Sequence, residues 1–269
     1  MNSFFNNKVV VITGGSDGIG KALIELLIPL GANISTCGRN TQKLQNLKDA
    51  FSSQQLFVME ADISNQNNCT QFIQSTLSHY GKIDILINNA GISMRSLLID
   101  CDLDVIKKVM DVNFFGAVYC TKIALPALLQ SKGTIVGISS IAAYRGLPGR
   151  SGYSASKFAL NGWLEAIKTE LLHTGVHVMW VCPGFTKSNI RNVALNEKGD
   201  AQGESPLEEN NLMTSKECAQ HILQAISKKK RTLILSAQGK QTVWLNKLFP
   251  SLADTLTYKF FFKKNKLIK

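Results

Sequence analysis

Short apolar runs alternate with stretches of helical periodicity along most of this chain. Each run is followed by a small or polar residue or by proline, which predicts buried strands at 8–13, 32–37, 56–61, 82–87, 134–138, 176–182 and 232–235. Apolar residues at helical spacing predict helices at 21–30, 102–129, 158–172 and 214–226. This alternation predicts an α/β fold with a parallel, doubly wound sheet. Because no repeats or interior linkers are visible, residues 1–236 are expected to form one domain and residues 237–269 a carboxyl-terminal extension.

A glycine-rich turn joins the first predicted strand to the first predicted helix. Gly14, Gly18 and Gly20 differ in spacing from the G-x-G-x-x-G pattern but permit the same close backbone approach. A strand, a glycine turn and a helix place backbone N–H groups and the positive end of the helix where a pyrophosphate can bind. The alternative is a turn of purely structural use.

The residues after the second predicted strand bear on the preferred cofactor. An NAD site usually has a carboxylate here for the ribose 2′-hydroxyl, but residues 32–48 contain no acid. Arg39 is well placed for a 2′-phosphate instead. Asp62, after the third strand, either accepts a hydrogen bond from the adenine amino group or caps the following helix. The missing carboxylate and Arg39 together favour NADP(H) over NAD(H).

Tyr153 and Lys157 lie four residues apart, and therefore on one face of a predicted helix. An ammonium beside a phenol favours the phenolate, which predicts a tyrosine pKa below its usual value of about 10. Ser140 follows an apolar strand and can return to the same place. A serine, a tyrosine and a lysine at a strand's end suit general acid–base chemistry on a carbonyl or an alcohol.

Asparagines and a long polar segment are the other candidate features. Asn88 and Asn89, before Ala90 and Gly91, follow a strand where open α/β sheets bind ligands, or they stabilise the turn itself. Asn113 is unfavourable within a helix, so it either makes local hydrogen bonds or holds a water in the site.

The polar segment 185–213 contains 196–205, which is predicted to be a mobile loop long enough for a lid. The substrate pocket is predicted to use residues 93–98, 141–150 and 185–212.

The composition fits a folded α/β protein. The 269 residues are 45% hydrophobic and 18% charged, far from the composition of disordered chains. Six cysteines show no metal-ligand spacing and no C-x-x-C, which predicts a reduced compartment with neither disulfides nor a metal site. The polar amino terminus does not resemble a secretory signal, and no run approaches about 18 uninterrupted apolar residues. We therefore expect a cytoplasmic protein, soluble or peripheral at a membrane.

The positive charge is concentrated at the carboxyl terminus. From Lys228 onward there are eleven Lys/Arg and one acid, Asp254, so this segment carries +10 of the total +11. A predicted helix over 243–262, with Pro250 as a candidate start of its main part, has an apolar face made of Trp244, Leu245, Leu248, Phe249, Leu252, Leu256 and Phe260. An apolar face with cationic flanks suits an anionic membrane surface contacted by residues 240–269. The alternative is packing over the substrate site or a partner subunit. Nucleic-acid binding is not expected, because no recognised module accompanies the charge.

The motifs together resemble those of the short-chain dehydrogenase/reductase superfamily. They are TGGSDGIG (13–20), DI (62–63), NNAG (88–91), VN (112–113), ISS (138–140), YSASK (153–157) and PGF (183–185). The resemblance covers about residues 7–236. Within the superfamily, NNAGIS, YSASKFAL and the KKKR-then-apolar ending resemble the 11β-hydroxysteroid dehydrogenases and related membrane-associated dehydrogenase/reductases.

This resemblance implies a Rossmann fold and an active site of Asn113, Ser140, Tyr153 and Lys157. It implies homodimers or homotetramers formed by the long helices. The implied cofactor-binding residues are Gly14, Ser16, Asp17, Gly18, Ile19, Gly20, Arg39, Asp62, Ile63, Asn89, Ala90, Gly91, Tyr153, Lys157, Pro183, Gly184, Thr186 and Ser188. One departure is Asp17, where NADP-preferring relatives often carry a base.

The predicted function is hydride transfer between NADP(H) and a carbonyl or secondary alcohol. A tail that docks on a membrane and acts as a lid fits a lipophilic substrate, such as a steroid, a long-chain ketone or a sphingoid-like compound. One alternative is an NAD-linked alcohol dehydrogenase that works in the oxidative direction. The other is a non-catalytic cofactor-binding scaffold, which would not need Ser140, Tyr153 and Lys157 together.

Overall fold

The computed structural model describes residues 2–51, 54–206 and 212–268. Seven parallel strands form its main sheet, in the order β3-β2-β1-β4-β5-β6-β7. They are β1 Val9–Thr13, β2 Asn33–Gly38, β3 Leu56–Glu60, β4 Ile85–Asn88, β5 Thr134–Ile138, β6 His177–Cys182 and β7 Thr232–Ile234. The predicted doubly wound parallel sheet is confirmed. Its strand order reverses between β1 and β4, which is where sheets of this type bind ligands.

The central strands are apolar along their whole length because helices cover both faces of the sheet. Every residue of β1, β4 and β5 is buried. The helices are α1 Asn2–Phe5, α2 Gly18–Leu27, α3 Thr41–Ala50, α4 Gln66–Tyr80, α5 Leu103–Met110, α6 Gly116–Ser131, α7 Ser151–Glu170, α8 Ser215–Ser227, α9 Ala237–Leu248 and α10 Pro250–Phe261. Two apolar clusters result, one on each side of the sheet.

Helix α3 is absent from the sequence prediction, and α4 entered it only as the helix that follows Asp62. Only Leu44 and Leu47 of α3 are buried, so its apolar periodicity is weak. Asn65 caps α4 by accepting hydrogen bonds from the N–H groups of its first turn. Asp62 instead accepts from the N–H and hydroxyl of Ser64. Asp62 is therefore not the cap of the next helix, and that alternative is wrong.

The single helix predicted over 102–129 has an internal irregularity. A π-helical turn, Asp111–Phe115, separates α5 from α6 and contains Asn113. Among the described residues, Leu103–Ser131 is long and apolar enough to cross a membrane by length and composition alone. Half of its most apolar window is buried inside the protein, as in core helices generally.

The tail forms two helices where one was predicted. Helix α9 ends before Phe249, and α10 begins at Pro250, whose fixed backbone suits the first turn of a helix. A short hairpin, β8 Phe262–Lys263 and β9 Lys266–Leu267, follows. Arg145 ties both helices to the sheet domain: it donates to Asn246 on α9 and to Thr257 and Asp254 on α10. The division into 1–236 and 237–269 stays a prediction.

Residues 196–205, predicted to be a mobile lid, form a turn held against Arg95. The Arg95 guanidinium donates to Gln202 and Glu204, at 2.9 Å each. None of 196–205 lines the large cleft, so the lid prediction is wrong for these residues. Residues 207–211 of the same polar segment lie outside the described residues.

Candidate active site

A cleft of about 910 Å³ opens at the carboxyl edge of the sheet. All of the predicted catalytic and cofactor-binding residues line it except Gly20 and Asn113, which pack directly behind it. Sequence motifs from both halves of the chain therefore meet at one surface. Their individual roles remain predictions.

The glycine turn lies beside the strand-end segment 88–91. Gly14 has a φ of +69°, and a Cβ on it would lie 2.9 Å from Ala90 Cα, so a side chain would clash there. A Cβ on Gly20 would lie 2.4 Å from Gly14 O. The turn leads into α2, whose first-turn N–H groups lack intrahelical partners and bear partial positive charge. This arrangement fits a dinucleotide pyrophosphate.

Two cations and two carboxylates stand at the far end of the cleft. Arg39 lies 3.9 Å from Asp62 Oδ2, and Lys43 forms an ion pair with Asp17. Asp17 also accepts from Gly18 N at 2.7 Å. Burial alone would raise the pKa of Asp17, but the hydrogen bonds from Lys43 and Gly18 lower it. The sequence analysis did not identify Lys43. The pattern that could have identified it is a basic residue four positions after Arg39, at the start of helix α3, which Asn40 caps.

Asn89 mainly stabilises the turn. Its side-chain amide donates to Thr13 O at 2.9 Å and to Gly14 O at 3.1 Å. Thr13 Oγ1 accepts from the N–H groups of Asn89 and Ala90. Asn88 donates to Thr121 Oγ1 at 2.9 Å. The turn-stabilising alternative is thus confirmed for Asn89, which also lines the cleft together with Ala90 and Gly91.

Ser140, Tyr153 and Lys157 converge at the end of β5. Ser140 Oγ accepts from Ala142 N at 3.1 Å, which leaves its own proton free to donate. Tyr153 lies in the first turn of α7, and the Ser140 hydroxyl is within hydrogen-bonding reach of its phenol. Lys157 Nζ donates to Ile138 O at 2.9 Å and lies 5.8 Å from the Tyr153 ring centroid. A Cβ on Gly91 would lie 3.4 Å from that Nζ.

The pKa of Tyr153 differs from the sequence prediction. Burial raises the pKa of Tyr153, although the Ser140 hydrogen bond and the nearby charge of Arg150 oppose this. Burial lowers the pKa of Lys157 to about 8. The predicted net lowering of the Tyr153 pKa is therefore wrong in this structure. The reason is that Lys157 Nζ is directed to Ile138 O rather than to the phenol oxygen.

Asn113 makes local hydrogen bonds from the π-helical turn. Its Oδ1 accepts from Ile92 N at 2.8 Å, and its Nδ2 donates to Ile92 O and to Ser156 Oγ, both at 2.9 Å. These bonds join the turn to the loop after β4 and to α7. The local hydrogen-bond interpretation is confirmed, and a water held by Asn113 stays a prediction.

The remaining wall is formed by the segment after β6 and by the tail. Thr186 is buried and donates to Gly184 O at 3.3 Å. A Cβ on Gly18 would lie 3.7 Å from Ser188 Cβ, so Ser188 closes over the glycine turn. Sequence analysis did not place particular tail residues in the cleft, which is lined there by Trp244, Leu245, Ala253, Leu256, Phe260 and Phe261. Among the described residues, no group of three His, Cys, Asp or Glu side chains is placed to hold a metal ion.

Comparison with known proteins identifies the family. A model of the short chain dehydrogenase family matches residues 8–199. The chain belongs to this family. It is 34% identical over 260 residues to mouse dehydrogenase/reductase SDR family member 7B, covering 93% of this chain and 80% of that protein. It is 34% identical over 253 residues to a Drosophila melanogaster SDR family protein 7-like, covering 91% and 78%. The predicted superfamily and branch are confirmed.

Solved structures agree on the fold. A Burkholderia phymatum short chain dehydrogenase/reductase in complex with NAD superposes with a TM-score of 0.83 at 22% identity, covering 92% of this chain and 95% of that one. A Burkholderia cenocepacia short chain dehydrogenase in complex with NADP gives 0.79 at 22% identity, covering 94% and 98%. This short-chain dehydrogenase thus belongs to a family of oxidoreductases of CH–OH and C=O groups.

Proposed function

We propose that this short-chain dehydrogenase is an NADP(H)-dependent reductase of lipophilic carbonyl compounds. The observation that carries the proposal is the meeting of Ser140, Tyr153 and Lys157 in one cleft with the glycine turn and an apolar tail. A nicotinamide cofactor, held in the cleft by the glycine turn and Lys157, would supply the hydride for the substrate carbonyl carbon or take it back from the alcohol. The chain's own residues bind the reactants and move the proton.

Tyr153 is the general acid of the reduction. Its raised pKa keeps the phenol protonated at neutral pH, so it can donate its proton to the substrate oxygen. Ser140 donates a hydrogen bond to the same oxygen as negative charge develops there. The Ser140 oxygen accepts from Ala142 N, so its hydroxyl proton remains available to donate to the substrate oxygen.

The Lys157 ammonium places a positive charge 5.8 Å from the centroid of the Tyr153 ring. One of its three N–H bonds goes to Ile138 O, and the others are available for the hydroxyls of the nicotinamide ribose. Its ammonium also stabilises the tyrosinate formed when Tyr153 gives up its proton. Asn113 acts indirectly, since its hydrogen bonds to Ile92 and Ser156 position the loop after β4 against α7.

The preference for NADP(H) is supported by Arg39 and Lys43. Both line the adenosine end of the cleft, where a 2′-phosphate would compete for them with Asp62 and Asp17. Charge-assisted bonds to a phosphate are strong, and Arg offers them in a fork. The NAD-linked alternative would leave both cations without a phosphate to bind.

A carbonyl panel run with both cofactors tests this function. We expect NADPH oxidation with medium-chain or long-chain ketones, and a Kd for NADPH about 10-fold or more below that for NADH by fluorescence. Arg39→Gln and Lys43→Gln should each weaken NADPH binding about 10-fold while changing NADH binding much less. Lys21→Gln, a surface lysine on α2 outside the cleft lining, is the control. Equal affinity for both cofactors would instead favour the NAD-linked dehydrogenase.

The tail supports a membrane-surface location. The tail exposes apolar side chains beside exposed lysines: Trp244, Leu248, Phe249, Leu252 and Leu256 beside Lys240, Lys247, Lys259, Lys263 and Lys264. Trp244 and Leu256 also line the cleft, together with more buried residues of α9 and α10, so both sequence interpretations of the tail are compatible. We propose a cytoplasmic protein that docks peripherally through residues 240–269 and takes its substrate from the lipid surface.

Vesicle flotation tests this location. The full chain should float with vesicles rich in phosphatidylglycerol, and the double variant Leu248→Asp/Leu252→Asp should lose most of this binding, by about 10-fold or more. The matched control is Leu98→Asp/Leu103→Asp, whose side chains are at least as exposed but lie outside the tail. Equal flotation of wild type and both variants would contradict the membrane proposal.

A homodimer or homotetramer is also proposed. Phe115, Leu129 and Phe158 are exposed apolar side chains on the π-helical turn, α6 and α7, the long helices that the family resemblance assigns to the interface. Light scattering of the purified chain at micromolar concentration checks this, and a monomer would contradict it.

A further inference from the structure

Arg150 is a buried cation whose side chain has no hydrogen-bond or ion-pair partner in the described part of the chain. It precedes the first turn of α7, three residues before Tyr153, and lines the cleft. Only 7% of the residue is exposed. Its Nε makes no hydrogen bond, and no ion pair to its guanidinium is found among residues 2–51, 54–206 and 212–268. The guanidinium carbon lies 5.9 Å from the centroid of the Phe261 ring, an apolar neighbour that cannot neutralise the charge.

The other arginines of this region already have partners. Arg145 donates to Thr257, Asn246 and Asp254, and Arg95 pairs with Glu204. Arg191 donates to Thr186 O at 2.8 Å and to Ser205 Oγ at 3.2 Å. Each of these three therefore contributes to the fold through hydrogen bonds, and Arg150 differs from them.

Among the described residues, no carboxylate forms an ion pair with Arg150. Burial lowers the pKa of Arg150, the interaction with the Tyr153 phenol opposes this, and the neighbouring positive charges of Arg191 and Arg95 lower the pKa further. A buried guanidinium without a carboxylate is unfavourable, since buried charges are normally paired. The first turn of α7 adds the partial positive charge of a helix N-terminus. An anion in this part of the cleft would therefore relieve an uncompensated positive potential.

We propose that Arg150 binds an acidic group of the substrate, so that the preferred carbonyl compound is a lipophilic ketone that also carries a carboxylate or a phosphate-type group. This rests on the proposed reductase function and names its substrate class. The planar fork of Arg150 can take two oxygens of such a group side by side. The apolar remainder of the substrate then lies along Trp244, Leu245, Leu256 and Phe260 of the tail.

Arg150 and Tyr153 line the same cleft, and the charge of Arg150 acts on the Tyr153 phenol. The carbonyl group and the acidic group of the substrate are therefore expected in one part of the cleft. A 4-oxo acid, with two methylenes between carbonyl and carboxylate, is a compact probe that carries both groups.

A matched set of compounds tests the proposal. The set is 4-oxododecanoate, its methyl ester and the phosphonate that replaces the carboxylate, each assayed for kcat/KM with NADPH. We expect the wild type to favour the acid over the ester by about 100-fold. Arg150→Met should bring this ratio below about 3, and Arg150→Lys should keep part of it. Arg231→Met, a surface arginine paired with Glu165, should keep the wild-type ratio.

The phosphonate separates the two kinds of acid. Preference for the phosphonate over the carboxylate would assign a phosphate-type substrate, and the reverse would assign a carboxylic acid. An equal wild-type kcat/KM for acid and ester would overturn the proposal and leave the reductase function intact. The proposal would also be overturned if Arg150→Met slowed acid and ester equally and shifted the pH profile, because Arg150 would then act on Tyr153 rather than on the substrate.

A direct binding measurement tests the anion site independently of the reductase function. Calorimetry with Tyr153→Phe measures 4-oxododecanoate and its ester without turnover. Tighter binding of the acid, lost in Tyr153→Phe/Arg150→Met and weakened by salt, supports the anion site even if no ketone is reduced. Equal affinity for the acid and its ester would overturn the proposal about Arg150, whatever activity the carbonyl panel shows.

Discussion

Replacing Tyr153 by Phe is expected to lower kcat for carbonyl reduction about 10³-fold or more. The substitution removes only the phenolic oxygen, which is the proton donor placed next to Ser140 in the cleft. Such a loss corresponds to about 4 kcal/mol or more of transition-state stabilisation. The Kd for NADPH should change by less than about 3-fold, because the glycine turn and Lys157 remain. Stopped-flow or steady-state absorbance of NADPH, together with a fluorescence titration, measures both quantities.

Tyr144→Phe provides the matched control for this variant. Tyr144 is a half-buried tyrosine whose hydroxyl accepts from Trp180 Nε1 at 3.2 Å, and it does not line the cleft. Its removal should cost some stability but keep kcat near wild type. Near-wild-type turnover in Tyr153→Phe would contradict the proposed general acid. A loss of NADPH binding would show that the variant had disturbed the site itself.

Reduction is expected to slow as the pH rises through about 8, the value to which burial lowers the pKa of Lys157. Below this pH the ammonium is present and stabilises the developing tyrosinate. Above it the amine is neutral, so kcat/KM should fall up to 10-fold per pH unit. Tyr153, whose pKa burial raises, stays protonated through this range and does not produce the bend. Initial rates between pH 6 and 9.5 measure the profile.

Two variants of Lys157 identify the titrating group. Lys157→Arg keeps a charge that does not titrate, so the bend near pH 8 should disappear even if the overall rate falls. Lys157→Met should lose about 100-fold or more in kcat at pH 7. The neighbouring Cys182 titrates higher, because burial raises its pKa to about 11. A bend that persists in Lys157→Arg would assign it to another group.

The strands and the catalytic motifs were predictable because their signals are local. Strands buried on both faces appear as continuous apolar runs, which is why the predicted run at 134–138 coincides with β5. Glycines at a turn and a tyrosine–lysine pair at helical spacing are also visible in a short window of sequence. Helix α3 was missed because it buries only two leucines and its stability comes from its cap and the sheet beneath it.

The helix break in the tail and the pairing of charged side chains could not be predicted from local sequence patterns. The apolar spacing over 243–262 fits one continuous helix, yet the chain breaks at Phe249 where α9 and α10 pack on each other. The pairing of Lys43 with Asp17 joins two segments that are adjacent only in the folded sheet. The pKa of Tyr153 follows from how deeply it is buried and from where Lys157 Nζ is directed, neither of which spacing determines.

The sequence by itself determined the parallel α/β fold, the family and the set of groups proposed to carry the chemistry, since each depends on residue type and short-range spacing. Only the tertiary structure decided which charges are paired, which are buried and which side chains form the substrate wall. These properties depend on distances between segments far apart in the chain. Arg150 illustrates the difference: in the sequence it is one of thirty Lys and Arg residues, and in the fold it is a buried cation beside Tyr153.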